Sequence, residues 1–409
     1  MTEQHLIERP LYLERLRAWK DNFDTIKVIT GIRRCGKSKV LEYFAEELIT
    51  NGIAKNSIVS MNFEDMQYKD MTADKLNEIL EEKIKANNGK PTYIFLDEIQ
   101  KVPSWEKVAA SLRLKPNVDL YLTGSNAYML SSELATFLSG RYIEIKMYPL
   151  SFKEFLTFYD FPENLSVERK FAQYMKFGGM PPLINCNFDE LRVSETLDGI
   201  YNTVLIKDIL AHSNNKDVNV LKRIIRFMAD NIANRSSTNS ITNTLYSDKS
   251  ISSKNNAFVE EYLNLLEKAF IFYSAQRYDI KGKELLRSLE KYYMVDTGLR
   301  YYTLSKVSDT GRILENIVYF ELLRRGYKVY IGKIEDKEID FIAIKGDDKI
   351  YYQVSEMITN EATRERELEA LRVIGDSYPK VILTADVLQT GTLDDGIKII
   401  NVIDWLLEE

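Results

Sequence analysis

Residues Thr25–Ser38 read TIKVITGIRRCGKS. The first six form a short run rich in β-branched residues, the signature of a buried strand. Gly31–Ser38 fits G-x-x-x-x-G-K-[ST] without a mismatch. The next twelve residues, KVLEYFAEELIT, place Val40, Leu41, Phe44, Leu48 and Ile49 at helical spacing. A glycine-rich loop between a strand and a helix is the context of a phosphate-binding loop. Gly31 and Gly36 let the backbone curl. The N–H groups around Ile32, Arg33, Arg34, Cys35 and Lys39 then surround phosphate oxygens together with the helix N-terminus. Lys37 reaches the β- and γ-phosphates, and Ser38 places a hydroxyl on Mg²⁺.

Working outward, PTYIFLDEIQ (Pro91–Gln100) carries apolar residues from Tyr93 to Leu96 and ends in Asp97-Glu98. Ligands bind beyond the carboxyl ends of strands in open α/β sheets, so this strand presents its carboxylates where they are needed. Asp97 is expected to hold Mg²⁺ through water and Glu98 to polarise the attacking water. A third strand, VDLYLTGSN (Val118–Asn126), ends in polar residues, of which Asn126 is assigned to sense the γ-phosphate or orient the water. Arg141 lies just ahead of a fifth strand in SGRYIEIK. It is a γ-phosphate sensor, a finger for a neighbouring subunit, or an arginine paired with a surface carboxylate. With SIVSMNFED (Ser57–Asp65), five strands alternate with helices between about residues 25 and 150. That pattern predicts a parallel, doubly wound α/β P-loop domain.

Composition narrows the chemistry. The chain has 409 residues, 45% hydrophobic and 28% charged, a globular mixture long enough for two or three domains. No run approaches the ~18 apolar residues that cross a bilayer. The N-terminus, MTEQHLIERPLYLERLRAWK, is charged throughout and shows no apolar leader, which predicts a cytoplasmic protein with no membrane partner. The only histidines are His5 and His212, and the only cysteines are Cys35 and Cys186. Clustered Cys/His zinc sites and a disulfide framework are excluded, and no G-x-S-x-G elbow is present. The net charge of −6 means that nucleic-acid binding needs a local basic face.

The order R-P-x-Y (Arg9–Tyr12), GIRRCGKS, YIFLDEIQ, LTGSN, SGRY, YPLSFKEF and KFGGMPP (Lys176–Pro182) resembles a bacterial and archaeal family of AAA-type ATPases with a C-terminal domain of unknown function. The resemblance implies ATP and Mg²⁺ as cofactors, an additional-strand P-loop core, and a catalytic glutamate at Glu98. No N-K-x-D segment is present to read a guanine, which agrees.

On this reading residues 1–150 form the ATPase domain, 151–210 a helical lid, 211–290 a winged-helix-like domain and 291–409 a C-terminal α/β domain. In the winged-helix region, residues 219–235 form one helix and SSTNSITNTLYSDK a second, capped by Thr238 or Ser240. A third helix over 253–269 precedes the strand FIFYSAQRYD. The third helix carries Glu260, Glu261 and Glu267, a poor phosphate-facing surface. The basic residues sit on the first helix (Lys222, Arg223, Arg226, Arg235) and near the hairpin (Arg277, Lys281, Lys283, Arg287). DNA reading by this module and a contact within the chain or with another subunit of a homo-oligomer both stay open.

The C-terminal region resembles the core of PD-(D/E)xK nucleases. Glu315 and Asp340 take the positions of two metal-binding carboxylates, and Gln353-Val354-Ser355 stands where Glu-x-Lys is needed. Residues 353 and 355 share a strand face, so the register fits. Gln and Ser, however, supply neither the anionic ligand nor the cation. A degenerate nuclease-like domain is therefore expected.

Overall fold

The computed structural model describes residues 7–127, 140–203, 209–211, 217–306 and 309–408, apart from the side chains of residues 211, 287 and 288. His5 and His212 lie outside the described residues. Two compact units form, Met1–Met147 with Lys268–Phe270, and Tyr148–Glu267 with Ile271–Glu409.

In the first unit, helix α1 (Pro10–Trp19) leads into β1 (Ile26–Thr30), α2 (Lys37–Thr50), β2 (Ile58–Asn62) and α3 (Ala73–Ala86). Then follow β3 (Thr92–Asp97), α4 (Trp105–Arg113), β4 (Val118–Gly124) and β5 (Tyr142–Lys146). The sheet order is β2-β3-β4-β1-β5, and every pairing is parallel. Every residue of β1, β3 and β4 is buried, which is why these strands read as apolar runs without alternation. Val28, Ile94, Leu96 and Leu120 pack there with Leu76 and Leu80 of α3 and Leu112 of α4. On α2, Val40, Leu41, Phe44 and Leu48 are buried. Ile49, expected on the same stripe, is exposed.

One ion pair lies wholly inside this sheet. Lys27 on β1 and Asp119 on β4 are both fully buried, and Lys27 Nζ donates to Asp119 Oδ1. Lys27 also donates to Asn22 O at 2.6 Å, while Asp119 Oδ2 accepts from Asp21 N at 2.9 Å and from Tyr121 OH at 2.8 Å. The pair thus fastens the loop ahead of β1 to the neighbouring strand.

The second unit opens with helices α5 (Phe152–Phe158), α6 (Val167–Phe177) and α7 (Glu190–Ile200). Three helices, α8 (Val218–Asp230), α9 (Thr238–Ser247) and α10 (Asn256–Lys268), then precede a hairpin of β7 (Phe272–Asp279) and β8 (Glu284–Met294), with short β6 (Arg235–Ser236) beside β8. These are winged-helix-like elements. The cap of α9 is Ser237, which exchanges bonds with Ser240 in a capping box, so Thr238 is not the cap and Ser240 is its partner. After α11 (Thr297–Leu304) and α12 (Thr310–Arg324) come β9 (Lys328–Ile334), β10 (Lys337–Lys345) and β11 (Asp348–Ser355). The chain closes through α13 (Glu361–Arg372), β12 (Lys380–Thr384), β13 (Gly391–Thr392), β14 (Lys398–Asn401) and α14 (Val402–Leu407).

The hairpin does not stand apart from the later strands. β7 pairs with β9 in parallel, and one nine-stranded sheet runs β13-β14-β12-β11-β10-β9-β7-β8-β6. The expected boundary between residues 290 and 291 falls inside β8.

K-F-G-G-M-P-P meets the segment Val295–Gly298 in a single knot. Asp296 accepts from Gly179 N at 2.7 Å and from Leu299 N at 3.0 Å. A Cβ on Gly298 would lie 1.9 Å from Phe177 O, and Gly178 sits at φ +74°. K-F-G-G-M-P-P and Val295–Gly298 are therefore two halves of one backbone crossing that only glycine permits.

Replacing Asp119 with alanine strands Lys27 in the sheet. Asp119→Ala is expected to cost about 3–5 kcal/mol, read as a lower denaturant midpoint at unchanged m-value. A loss below about 1 kcal/mol would contradict the structural weight given to this pair.

Candidate functional site

The loop from Gly31 to Gly36 turns β1 into α2. Gly31 has φ +148°, and a Cβ there would meet Met147 O at 2.1 Å, so no other residue fits. Gly36 is left-handed, at φ +106° and ψ 12°, as it opens α2. Ile32 and Cys35 face inward and are fully buried. Cys35 Sγ lies 3.6 Å from Met147 O, and burial pushes the thiol up from its ordinary value. Arg33 pairs with Glu64, which also meets Lys101 Nζ at 3.2 Å. Lys39 points outward to Glu42 Oε2 at 2.6 Å, so only its backbone faces the loop. Arg34 takes a left-handed φ of 66° on the same turn.

Lys37 is buried and folded back on its own loop. Its Nζ donates to Gly31 O at 3.0 Å and Ile32 O at 3.3 Å, and stands 3.7 Å from Glu98 Oε1. The parallel register brings the ends of β1, β3 and β4 to one edge of the sheet, with β4 lying between the other two. Asp97 and Glu98 therefore face the loop across Thr123. Thr123 Oγ1 donates to Asp97 Oδ1 and accepts from Glu98 N at 2.9 Å. The Ser38 hydroxyl, at the start of α2, favours the ionised form of Asp97. Burial raises Asp97 above its ordinary range, against the pull of Thr123 and Ser38. A buried carboxylate beside a hydroxyl, with its charge opposed by burial, is a donor set that suits a hard divalent cation. The Ser38–Asp97 arrangement thus fits Mg²⁺.

Glu98 adopts a left-handed φ of 52° at the strand end. Its Oε2 accepts from Ser125 Oγ at 2.9 Å and from Gln100 Nε2. Thr123 thus holds the Asp97 carboxylate, and Ser125 and Gln100 hold that of Glu98. Asn126 lies one residue beyond Ser125 on the same turn. A hydroxyl at a strand end carries no motif, so sequence gives no reason to choose Thr123 over its neighbours.

Arg9 is a further residue at this loop to which sequence assigns no role. It is buried, donates from Nη1 to Cys35 O at 2.9 Å, and its guanidinium lies 4.6 Å from the Tyr12 ring centroid. R-P-x-Y thus clamps the phosphate loop from behind. Arg141 sits elsewhere. Ile26 pairs with Tyr142, so Arg141 stands at the N-terminal edge of the sheet, opposite the loop. β1 alone spans about 13 Å at ~3.3 Å per residue. Sensing the γ-phosphate of its own chain is therefore not supported. The finger for a second copy and the surface ion pair remain.

In the winged-helix-like elements much of the expected basic face is engaged. Arg223 Nη1 donates to Lys249 O and Ser250 O, both at 3.1 Å, and Arg226 Nη1 to Thr303 O at 3.3 Å. Arg235 meets Glu338 at 3.1 Å, and Arg277 is buried. The Arg287 side chain lies outside the described residues. Glu315 lies on α12 and Asp340 on β10, and both approach Lys291. Among the described residues no group of three or more His, Cys, Asp and Glu is placed to hold a metal ion, and no helix is long and apolar enough to cross a membrane.

The family model for an AAA domain matches residues 24–156, and that for a domain of unknown function (DUF8612) matches residues 168–310. An uncharacterized protein of Haemophilus influenzae is 42% identical over 406 residues, covering 98% of this chain and 99% of its own length. An uncharacterized protein of Methanocaldococcus jannaschii is 32% identical over 407 residues, covering 93% and 87% respectively. Among solved structures, the Aeropyrum pernix ORC1 protein in complex with DNA is 11% identical with a TM-score of 0.32, covering 79% of this chain and 96% of that one. AMPPCP-bound DnaA from Aquifex aeolicus is 14% identical with a TM-score of 0.27, covering 64% and 89%. Likenesses this distant carry no argument. The two full-length relatives do, and the chain belongs to their family, with an AAA-type P-loop domain at residues 24–156 followed by an uncharacterized domain.

Proposed function

We propose that the protein binds ATP with Mg²⁺ at the Gly31–Ser38 loop and hydrolyses it, the nucleotide state governing the helical and winged-helix-like elements of the second unit. The observation that carries this reading is the convergence of Lys37, Ser38, Asp97 and Glu98 on one sheet edge, with Lys37 Nζ 3.7 Å from Glu98 Oε1. Lys37 leaves the carbonyls of Gly31 and Ile32 for the β- and γ-phosphates, and the loop N–H groups hold the remaining oxygens. Ser38 and Asp97 hold Mg²⁺, which when bound neutralises charge developing on the phosphates. With Lys37 drawn away, Glu98 Oε1 is released while Ser125 still holds Oε2. That free oxygen accepts a proton from the water that attacks the γ-phosphorus, as the bond to ADP breaks. Asn126 orients that water or senses the γ-phosphate.

The position of Arg141 favours a second reading, a slow nucleotide-gated switch or scaffold. An arginine at the far edge serves a nucleotide only in another copy, so turnover waits on assembly. Phosphate release per chain that rises steeply with protein concentration supports assembly-driven hydrolysis; a flat, negligible rate supports the switch. A DNA partner is a further part of the proposal, and duplex DNA that accelerates release identifies it.

Lys37→Ala is expected to abolish the rise in melting temperature that Mg-ATP gives the wild-type protein. A variant that keeps the full rise contradicts the role of Lys37. Glu98→Gln is expected to keep that rise yet lower phosphate release by about 10²–10⁴-fold. Glu98→Gln with wild-type turnover removes Glu98 from the mechanism.

A further inference from the structure

Glu315, Glu338 and Asp340 come together in the nine-stranded sheet unit, and a cation already stands among them. Lys291 of β8 is buried, with its side chain 4% exposed. Its Nζ lies 2.9 Å from Glu315 Oε1, 2.9 Å from Glu338 Oε1 and 3.5 Å from Asp340 Oδ1. β7 and β9 separate β8 from β10 in the sheet, so this is no simple cross-strand pair. Tyr293 OH donates to Glu315 Oε1 at 2.7 Å, and Arg235 approaches Glu338 Oε2 at 3.1 Å.

The other positions of a metal centre are turned to different uses. Gln353 Oε1 accepts from Asp340 N at 2.7 Å, and its Nε2 donates to Glu367 Oε2 at 2.6 Å. Asp340 Oδ2 accepts from Val354 N at 2.9 Å, and Ser355 Oγ donates to Met357 O at 3.2 Å. A nuclease-like centre implies a divalent metal, and these residues do not fit one. The carboxylates surround an ammonium, and the third ligand position is an amide spent on backbone and on α13.

We infer that Lys291 fills the cation position of this carboxylate cluster with its own ammonium group, so that the second unit is a metal-free module that neither binds a divalent ion there nor cleaves nucleic acid. An ammonium has three donors and no acceptor, which matches three carboxylates and excludes a second cation from the same space. Burial opposes the charge on Lys291, but Glu315, then Asp340 and Glu338, outweigh it and hold the amine above its ordinary value. Asp340 is pushed up to about 8 by burial and by Glu315, against the pull of Lys291. Removing the lysine would leave carboxylates whose mutual repulsion a divalent ion relieves.

Mn²⁺ uptake by the full chain without nucleotide, followed by the electron paramagnetic resonance of free Mn²⁺, tests this. The wild-type protein and Asp340→Asn are expected to take up equal amounts, because the nucleotide loop contributes identically to both. Lys291→Met is expected to take up one further equivalent per chain, with a melting temperature that rises with Mn²⁺ beyond the wild-type response. Loss of one equivalent in Asp340→Asn would overturn the inference, as would a folded Lys291→Met with no added uptake. The Asp340→Asn comparison decides the matter if Lys291→Met fails to fold. Mn²⁺-dependent nicking of a supercoiled plasmid by the wild-type protein, lost in Asp340→Ala, would equally overturn it.

Discussion

Thr123 is where the candidate site is joined. One hydroxyl on β4 donates to the Asp97 carboxylate and accepts from the Glu98 amide, both at the end of β3. This is possible only because β4 lies between β1 and β3 with all three parallel. Insert any other strand there and the carboxylates would not face the loop that follows β1. The buried Lys27–Asp119 pair ties β1 to the same strand β4, fixing the start of β1 while Thr123 fixes the end of β3. Position here follows from register, and chemistry follows from position.

The loop was legible in sequence because its determinants are local. Gly31 and Gly36 need left-handed or crowded backbone, and Lys37 and Ser38 follow immediately. The apolar runs of β1, β3 and β4 were equally legible, since strands buried on both faces need no alternation. What depends on register was not. Arg141 lies next to a strand in sequence, yet only the pairing of Ile26 with Tyr142 reveals that it stands at the wrong edge to serve its own loop. Thr123 and Ser125 stood beside Asn126 with nothing in the sequence to rank them.

Distance along the chain hid more in the second unit. Glu315 and Asp340 are marked by the resemblance to a nuclease core, but nothing in that pattern points to Lys291, which lies on β8, 24 residues from Glu315. The same hairpin continues into the sheet of the later strands, so the expected boundary at residues 290 and 291 cuts through β8. K-F-G-G-M-P-P carries the family resemblance, and Asp296 ties its glycines to Gly298 in one crossing. Motifs outside the phosphate loop can thus mark folding constraints as readily as chemistry.

On the proposed function, one sheet edge of the first unit holds a nucleotide with its metal. Isothermal titration of ATP into the full chain, with and without Mg²⁺, tests it most directly. One saturable site per chain is expected, markedly weaker without Mg²⁺ and competed by ADP. A folded protein that releases no binding heat and shows no change in melting temperature with Mg-ATP would contradict it.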